Sequence, residues 1–170
     1  MSDQISNYPG TSLSESQIQD GEVLSFIDKM QADFAWDTGQ AISSYLDGFK
    51  QGYITGAYCS HCRKTVVPPR SVCEWCFHEM DHYLPLADTG TVNTFSLCYV
   101  TWDVQRIKEP EIPAVIEIDG ASPLHGIMHK LGEIEPANVT IGMRVQAVWK
   151  PPELREGSIT DILYFKPLEE

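Results

Sequence analysis

The stretch Cys59-Ser-His-Cys62, a ten-residue spacer, then Cys73-Glu-Trp-Cys76 decides how this chain is read. A CxxC pair closes a tight turn that aims both sulfurs into one hollow. Two such turns facing each other supply a tetrahedron of thiolates, most often around Zn²⁺. With Cys59, Cys62, Cys73 and Cys76 all used as ligands, no position is left for water or substrate, so the centre is expected to be structural rather than catalytic. Iron fits four thiolates as well, and residue types alone leave zinc or iron open. Redox use of the pairs is disfavoured, because no βαβ pattern surrounds them.

Working outward, Tyr53-Ile-Thr-Gly-Ala-Tyr58 suits a strand that leads into the first knuckle, and Val66-Val-Pro-Pro-Arg70 lies between the knuckles. This is the strand–knuckle–strand–knuckle layout of a zinc ribbon, assigned to residues 53–85. Four thiolates on a divalent cation leave excess negative charge, which Arg63, Lys64, Arg70 and backbone N–H groups are expected to offset. His61 and His78 lie nearby. Four cysteines already complete the shell, so both are read as surface residues rather than ligands.

Before the ribbon, residues 1–19 are polar and read as a flexible tail. From Asp20 the apolar positions Val23, Phe26, Ile27, Met30 and Phe34 recur at spacings of three and four, and Ile42, Tyr45, Leu46 and Phe49 follow in the same way. That period predicts two short helices over 20–52. A pair this short cannot bury both apolar faces by itself. The cover is either the chain's own body or another protein, and Phe26, Met30, Phe34, Trp36 and Phe49 are the candidate interface residues.

After Gly90 the period changes to two. Strands are expected around 91–102, 114–118, 123–130, 144–150 and 159–165, with Asp119-Gly120 as a turn. Five strands without a long helix predict a small closed barrel over residues 86–170. The fold class is therefore mainly β with an N-terminal helix pair.

The full chain has 170 residues and a formal charge of −12. That balance opposes general nucleic-acid binding, which needs basic residues to displace counterions. Its five cysteines, four of them in knuckles, fit a reducing cytoplasm. The N-terminus does not read as a secretory signal, and no run of apolar residues is long enough to span a bilayer. Cys98 has no base near it in sequence and reads as a buried strand cysteine. His125 and His129, four apart, read as half-exposed sheet histidines rather than a two-ligand site. No phosphate loop, nucleophile elbow or HExxH motif is present.

The ordered set of Ile54–Cys62, Val67-Pro-Pro-Arg70, Cys73–Cys76, Gly90-Thr-Val92, Pro113–Ile118 and Ile141-Gly-Met-Arg-Val145 resembles the DUF35 family over about residues 20–166. Members join a rubredoxin-like zinc ribbon to an OB-fold barrel. The resemblance implies a non-catalytic subunit in a hetero-oligomer with a thiolase-like catalytic subunit. Its role would be to organise the complex and help hold the CoA-linked substrate. One relative accompanies benzoylsuccinyl-CoA thiolase of anaerobic toluene degradation, and the chain is expected to sit nearest that kind. A CoA thioester contact would need basic residues for the phosphates, and Arg106, Lys108, Lys130, Arg144 and Lys150 in the barrel half are the candidates. The alternative is a single-stranded nucleic-acid module, a role that ribbons and OB-folds also fill.

Overall fold

The structure is a computed structural model that describes residues 14–24, 26, 32–101 and 103–168. Two compact units divide at Trp36 and Asp37.

In the N-terminal unit the described helix is α1, Glu15–Gln19. A capping box starts it: the Gln17 N–H donates to Ser14 Oγ, and the Gln17 side chain returns to the Ser14 N–H at 3.0 Å. Gly21, with φ +71°, stops it. The expectation for this region is corrected in two ways. Residues 14–19, assigned to the tail, contain the helix. Val23, Phe26 and Phe34, assigned to a helix, are not helical. The remainder of the tail and the expected positions Ile27 and Met30 lie outside the described residues.

The larger unit opens with α2, Gly39–Gln51. Asp37 Oδ1 accepts the Gly39 N–H at 2.8 Å, and Gly52, with φ +91°, closes the helix. Its buried face is Ala41, Tyr45, Gly48 and Phe49, a spacing of four, three and one that follows the helical period. Gly48 allows close approach to the next strand, because a Cβ there would stand 2.3 Å from Thr55 Oγ1. Phe49 is fully buried and packs against Tyr45 and Trp149. It therefore leaves the set of interface candidates: the chain's own core covers it.

Strand β1, Ile54–Cys59, is the centre of a three-stranded antiparallel sheet, flanked by β2, Lys64–Val66, and β3, His82–Leu86. The barrel follows: β4 (Thr89–Phe95), β5 (Cys98–Val100), β6 (Arg106–Glu111), β7 (Pro113–Ile118), β8 (Gly126–Lys130), β9 (Arg144–Trp149) and β10 (Ile162–Pro167). Its five-stranded sheet has the order β10-β9-β4-β7-β8, and a parallel bridge between Leu131 and Phe165 joins the two outer strands. Among the described residues β5 and β6 pair only with each other, as a separate hairpin. The long strand expected over 91–102 is thus broken at Ser96-Leu97, and β6 lies where no strand was expected.

Alternation sets the barrel core. β7 buries Ala114, Ile116 and Ile118 while the residues between them stay partly exposed. These join Val92, Val145, Ile162 and Phe165. Phe49, Ile54, Val67 and Leu86 belong to the same cluster, so helix, ribbon and barrel share one core. Thr65 and Ser122 add a polar seam: Thr65 N–H donates to Ser122 Oγ at 3.0 Å, and Ser122 N–H to Thr65 O at 2.8 Å.

Candidate metal centre and cleft

Each knuckle is built the same way. The residue after its second cysteine adopts a left-handed backbone, Arg63 at φ +54° and Phe77 at φ +59°. Side chains rarely accept this conformation, which costs about 1–2 kcal/mol. Here it turns the chain back after Cys62 and after Cys76. In the second knuckle Phe77 N–H donates to Cys73 O at 2.9 Å, and Cys73 N–H to His78 O at 2.8 Å. In the first, Asp81 accepts both the Ser60 N–H, at 2.6 Å, and the Ser60 hydroxyl, at 2.8 Å. Those bonds hold the Asp81 carboxyl below the usual carboxylate range.

The four sulfurs converge. Cys59 Sγ lies 3.6 Å from Cys76 Sγ, Cys62 Sγ lies 3.8 Å from Cys73 Sγ, and all four fall within 4.8 Å of one another. A tetrahedron with Zn–S bonds of about 2.3 Å has edges of about 3.8 Å, so the set has the size of a metal-thiolate shell. Cys59 and Cys73 are buried, and Cys62 and Cys76 are half-buried. Burial pushes the Cys73 thiol up, but the backbone N–H groups of Trp75 and Cys76 outweigh it and bring it down to about 7. The four cysteines are positioned to bind a metal.

Two of the three neighbouring cations are engaged elsewhere. Arg70 pairs with Glu74, and Lys64 Nζ sits 4.7 Å from the Trp75 ring centroid. Charge relief at the sulfurs therefore falls to backbone N–H groups rather than to these side chains. Trp75 also meets the edge of His125 at 5.2 Å, which ties the second knuckle to the loop before β8. His129, on β8, packs its ring against Phe165 at 5.7 Å. Cys98, on β5, is half-buried opposite Glu111. His61 and His78 are exposed and stack on each other, with ring centroids 4.7 Å apart.

The five cationic candidates do not form one patch. Lys108 and Lys130 line the same 620 Å³ cleft, whose apolar lining includes Ile112, Leu131 and Ile134, with Tyr164 beside them. Arg106 lies two residues before Lys108 on β6, on the same side of the strand. Arg144 is bound to Asp119, and Lys150 Nζ lies 3.4 Å from Asp161 Oδ1. Glu109, Glu111 and Glu135 share the rim of the cleft. Attraction for an anion there rests on where two ammonium groups point, not on net charge. Sequence reasoning missed Ile134 and Tyr164 as cleft residues, because the turn after Gly132 and the last strand come together only through barrel closure.

Comparison with known proteins gives a consistent picture. Residues 46–80 match the family model described as ChsH2, rubredoxin-like zinc ribbon domain, and residues 83–150 match ChsH2, C-terminal OB-fold domain. A DUF35 domain-containing scaffold protein of Methanocaldococcus jannaschii is 28% identical over 119 residues, covering 68% of this chain and 82% of that protein. Two solved structures share the fold. A DUF35-family protein of unknown function from Sulfolobus solfataricus aligns with a TM-score of 0.60 at 23% identity, over 76% of this chain and 87% of its own. The Ltp2–ChsH2(DUF35) aldolase aligns with a TM-score of 0.57 at 21% identity, over 78% of this chain and 98% of the matched one.

Proposed function

The chain belongs to the DUF35 family, and from that premise we propose that it is the zinc-binding scaffold subunit of a thiolase-type acyl-CoA enzyme. The observation that carries this reading is the closed set of Cys59, Cys62, Cys73 and Cys76. Four protein sulfurs leave a bound Zn²⁺ no open position, so the metal supplies rigidity rather than Lewis-acid chemistry. The chain acts in the reducing cytoplasm, where these thiols stay unpaired.

The catalytic subunit is the partner, in a hetero-oligomer. Support comes from the archaeal relative, itself named a scaffold protein, and from a fold neighbour in which a DUF35 chain is named together with an aldolase. Phe26, Phe34 and Trp36, at 88%, 75% and 83% exposure, are the proposed contact residues. The CoA thioester enters the cleft of β6, β8 and β10. Its apolar lining accepts the pantetheine arm, and Lys108 and Lys130, with Arg106 beside them, reach the phosphates. Benzoylsuccinyl-CoA is the proposed thioester.

Purification of the native protein, with identification of what accompanies it and metal analysis, tests this reading. A thiolase-like chain and one zinc per chain are expected. Phe26→Asp and Phe34→Asp should release the partner without releasing metal. A chain recovered alone that binds single strands tightly and salt-sensitively would replace this function with the nucleic-acid one. A red, iron-loaded product would replace zinc.

A further inference from the structure

The four-sulfur centre has one feature it does not need. His61 and His78, both exposed, project from the two knuckles and stack with their planes 18° apart. One ligand atom from each ring and the sulfur of Cys76 lie within 4.8 Å of one another. We propose that His61, His78 and Cys76 form a second divalent-metal site on the outer side of the first, for a borderline cation of the Zn²⁺ class.

Four features favour a ligand here over a chance stack. His78 Nδ1 lies 3.1 Å from the Cys76 carbonyl oxygen. With Nδ1–H donating to that oxygen, the tautomer is fixed and Nε2 keeps the lone pair a metal requires. The backbone of His78 is itself pinned, because its carbonyl accepts the Cys73 N–H at 2.8 Å. Cys76 is half-exposed, whereas Cys59 and Cys73 are buried. A thiolate bound to one cation keeps lone pairs on its outer side and can bridge to a second. The four-thiolate shell is also left with excess negative charge, which draws a further cation.

The donor set selects the class of ion. Two imidazoles and a shared thiolate suit Zn²⁺, Ni²⁺ or Cu²⁺ and not Mg²⁺ or Ca²⁺, which take oxygen ligands. Metal–nitrogen bonds are about 2.0–2.1 Å, so the two exposed rings must close by about 1 Å, which surface side chains can do. Three protein ligands leave one tetrahedral position for water, unlike the inner site.

The test is titration of protein already carrying one zinc per chain with further Zn²⁺, followed by calorimetry and by histidine NMR. A second equivalent should bind and shift the His61 and His78 ring signals. The double variant His61→Ala/His78→Ala should weaken this second event by about tenfold or more while the first zinc stays bound. His82→Ala, an exposed histidine on β3, should change neither event. Saturation at one equivalent overturns the proposal, as does second binding that is undiminished in the double variant. Should that variant lose the first zinc too, the wild-type NMR decides: shifts confined to His82, His125 or His129 overturn the proposal.

Discussion

Arg144 on β9 grips Asp119 beyond β7 with both terminal nitrogens, Nη1 lying 2.8 Å from Oδ1. The same Nη1 lies 2.9 Å from Thr91 Oγ1 on β4. The Arg144 hydrogen bonds hold the Asp119 carboxyl below the usual carboxylate range despite partial burial. A guanidinium so occupied belongs to the barrel rather than to a ligand. Arg144→Ala is therefore expected to leave CoA affinity unchanged. Both side chains are more than a third exposed, so it should cost less than about 1 kcal/mol in urea unfolding. Lys108→Ala with Lys130→Ala should instead weaken CoA binding by about a hundredfold, since each charge-assisted bond contributes about 1.5–3 kcal/mol and each 1.4 kcal/mol is about tenfold. Equal losses in the two variants, read by calorimetry, would remove the cleft from the proposed function.

Metal removal should be felt first in the ribbon. Structural zinc contributes on the order of 10 kcal/mol in small zinc-finger peptides, comparable to the whole stability of a domain. Chelation, or Cys73→Ser, is expected to strip amide protection from β1 and β2 before β7. Hydrogen exchange with and without chelator measures this. Identical exchange in the two states would mean the sulfurs hold no stabilising ion.

Asp161 is buried, and its carboxylate accepts N–H groups from Glu156 at 3.1 Å, Gly157 at 2.7 Å and Ser158 at 3.0 Å. Burial pushes its pKa up, but these bonds and Lys150 more than compensate, so the net direction is down. The stability it contributes is full above the unfolded carboxyl value of about 3.9 and is lost as pH falls through the lower folded value. Asp161→Asn should cost about 3 kcal/mol at neutral pH, because three donors and a lysine lose their anion. The variant should also show a flatter stability curve below about pH 4 than the parent. Denaturant titrations across that range supply the comparison.

His129 responds in a different window. Burial lowers its pKa from the usual value; its Nε2 lies 3.4 Å from Ile159 O, and its Nδ1 is buried with no partner among the described residues. The folded chain therefore holds it neutral, and the unfolded chain binds the extra proton. Stability should fall as pH drops below about 6.5, the unfolded value, toward the lower folded one. His129→Phe is expected to reduce that slope, to which the His125 ring, lowered by burial as well, also contributes, while keeping the packing on Phe165. A parent and variant with the same melting-temperature slope between pH 7 and 5 would show the ring to be inert.

The ribbon and the five-stranded barrel were legible in the residues because both are written locally. CxxC spacing names the knuckles, and alternation such as Ala114-Val-Ile-Glu-Ile118 names a core strand. α1 carried a readable signal as well, the Ser14–Gln17 capping box, obscured by the polar composition around it. Val23, Phe26 and Phe34 show the opposite hazard: their spacing is helical, but Asp20 and Gly21, which could open a helix there, instead close α1. β6 could not be read, since Arg106-Ile-Lys-Glu-Pro-Glu111 has neither alternation nor apolar weight and is a strand only by pairing with β5. The cleft was equally hidden. Lys108, Lys130 and Tyr164 come from three separate strands, and only closure of the barrel brings them to one hollow.

Only Ala87 and Asp88 separate β3 from β4. Leu86, Ile54 and Phe49 on one side of that link lie in the same buried cluster as Val92 and Phe165 on the other. A recombination that exchanged the barrel alone would tear a wall out of that core and leave Phe49, Ile54 and Leu86 facing water. Ribbon and barrel are thus a single hereditary cassette: a lineage that acquires one must acquire both, however differently its sulfurs and its cleft are later put to use.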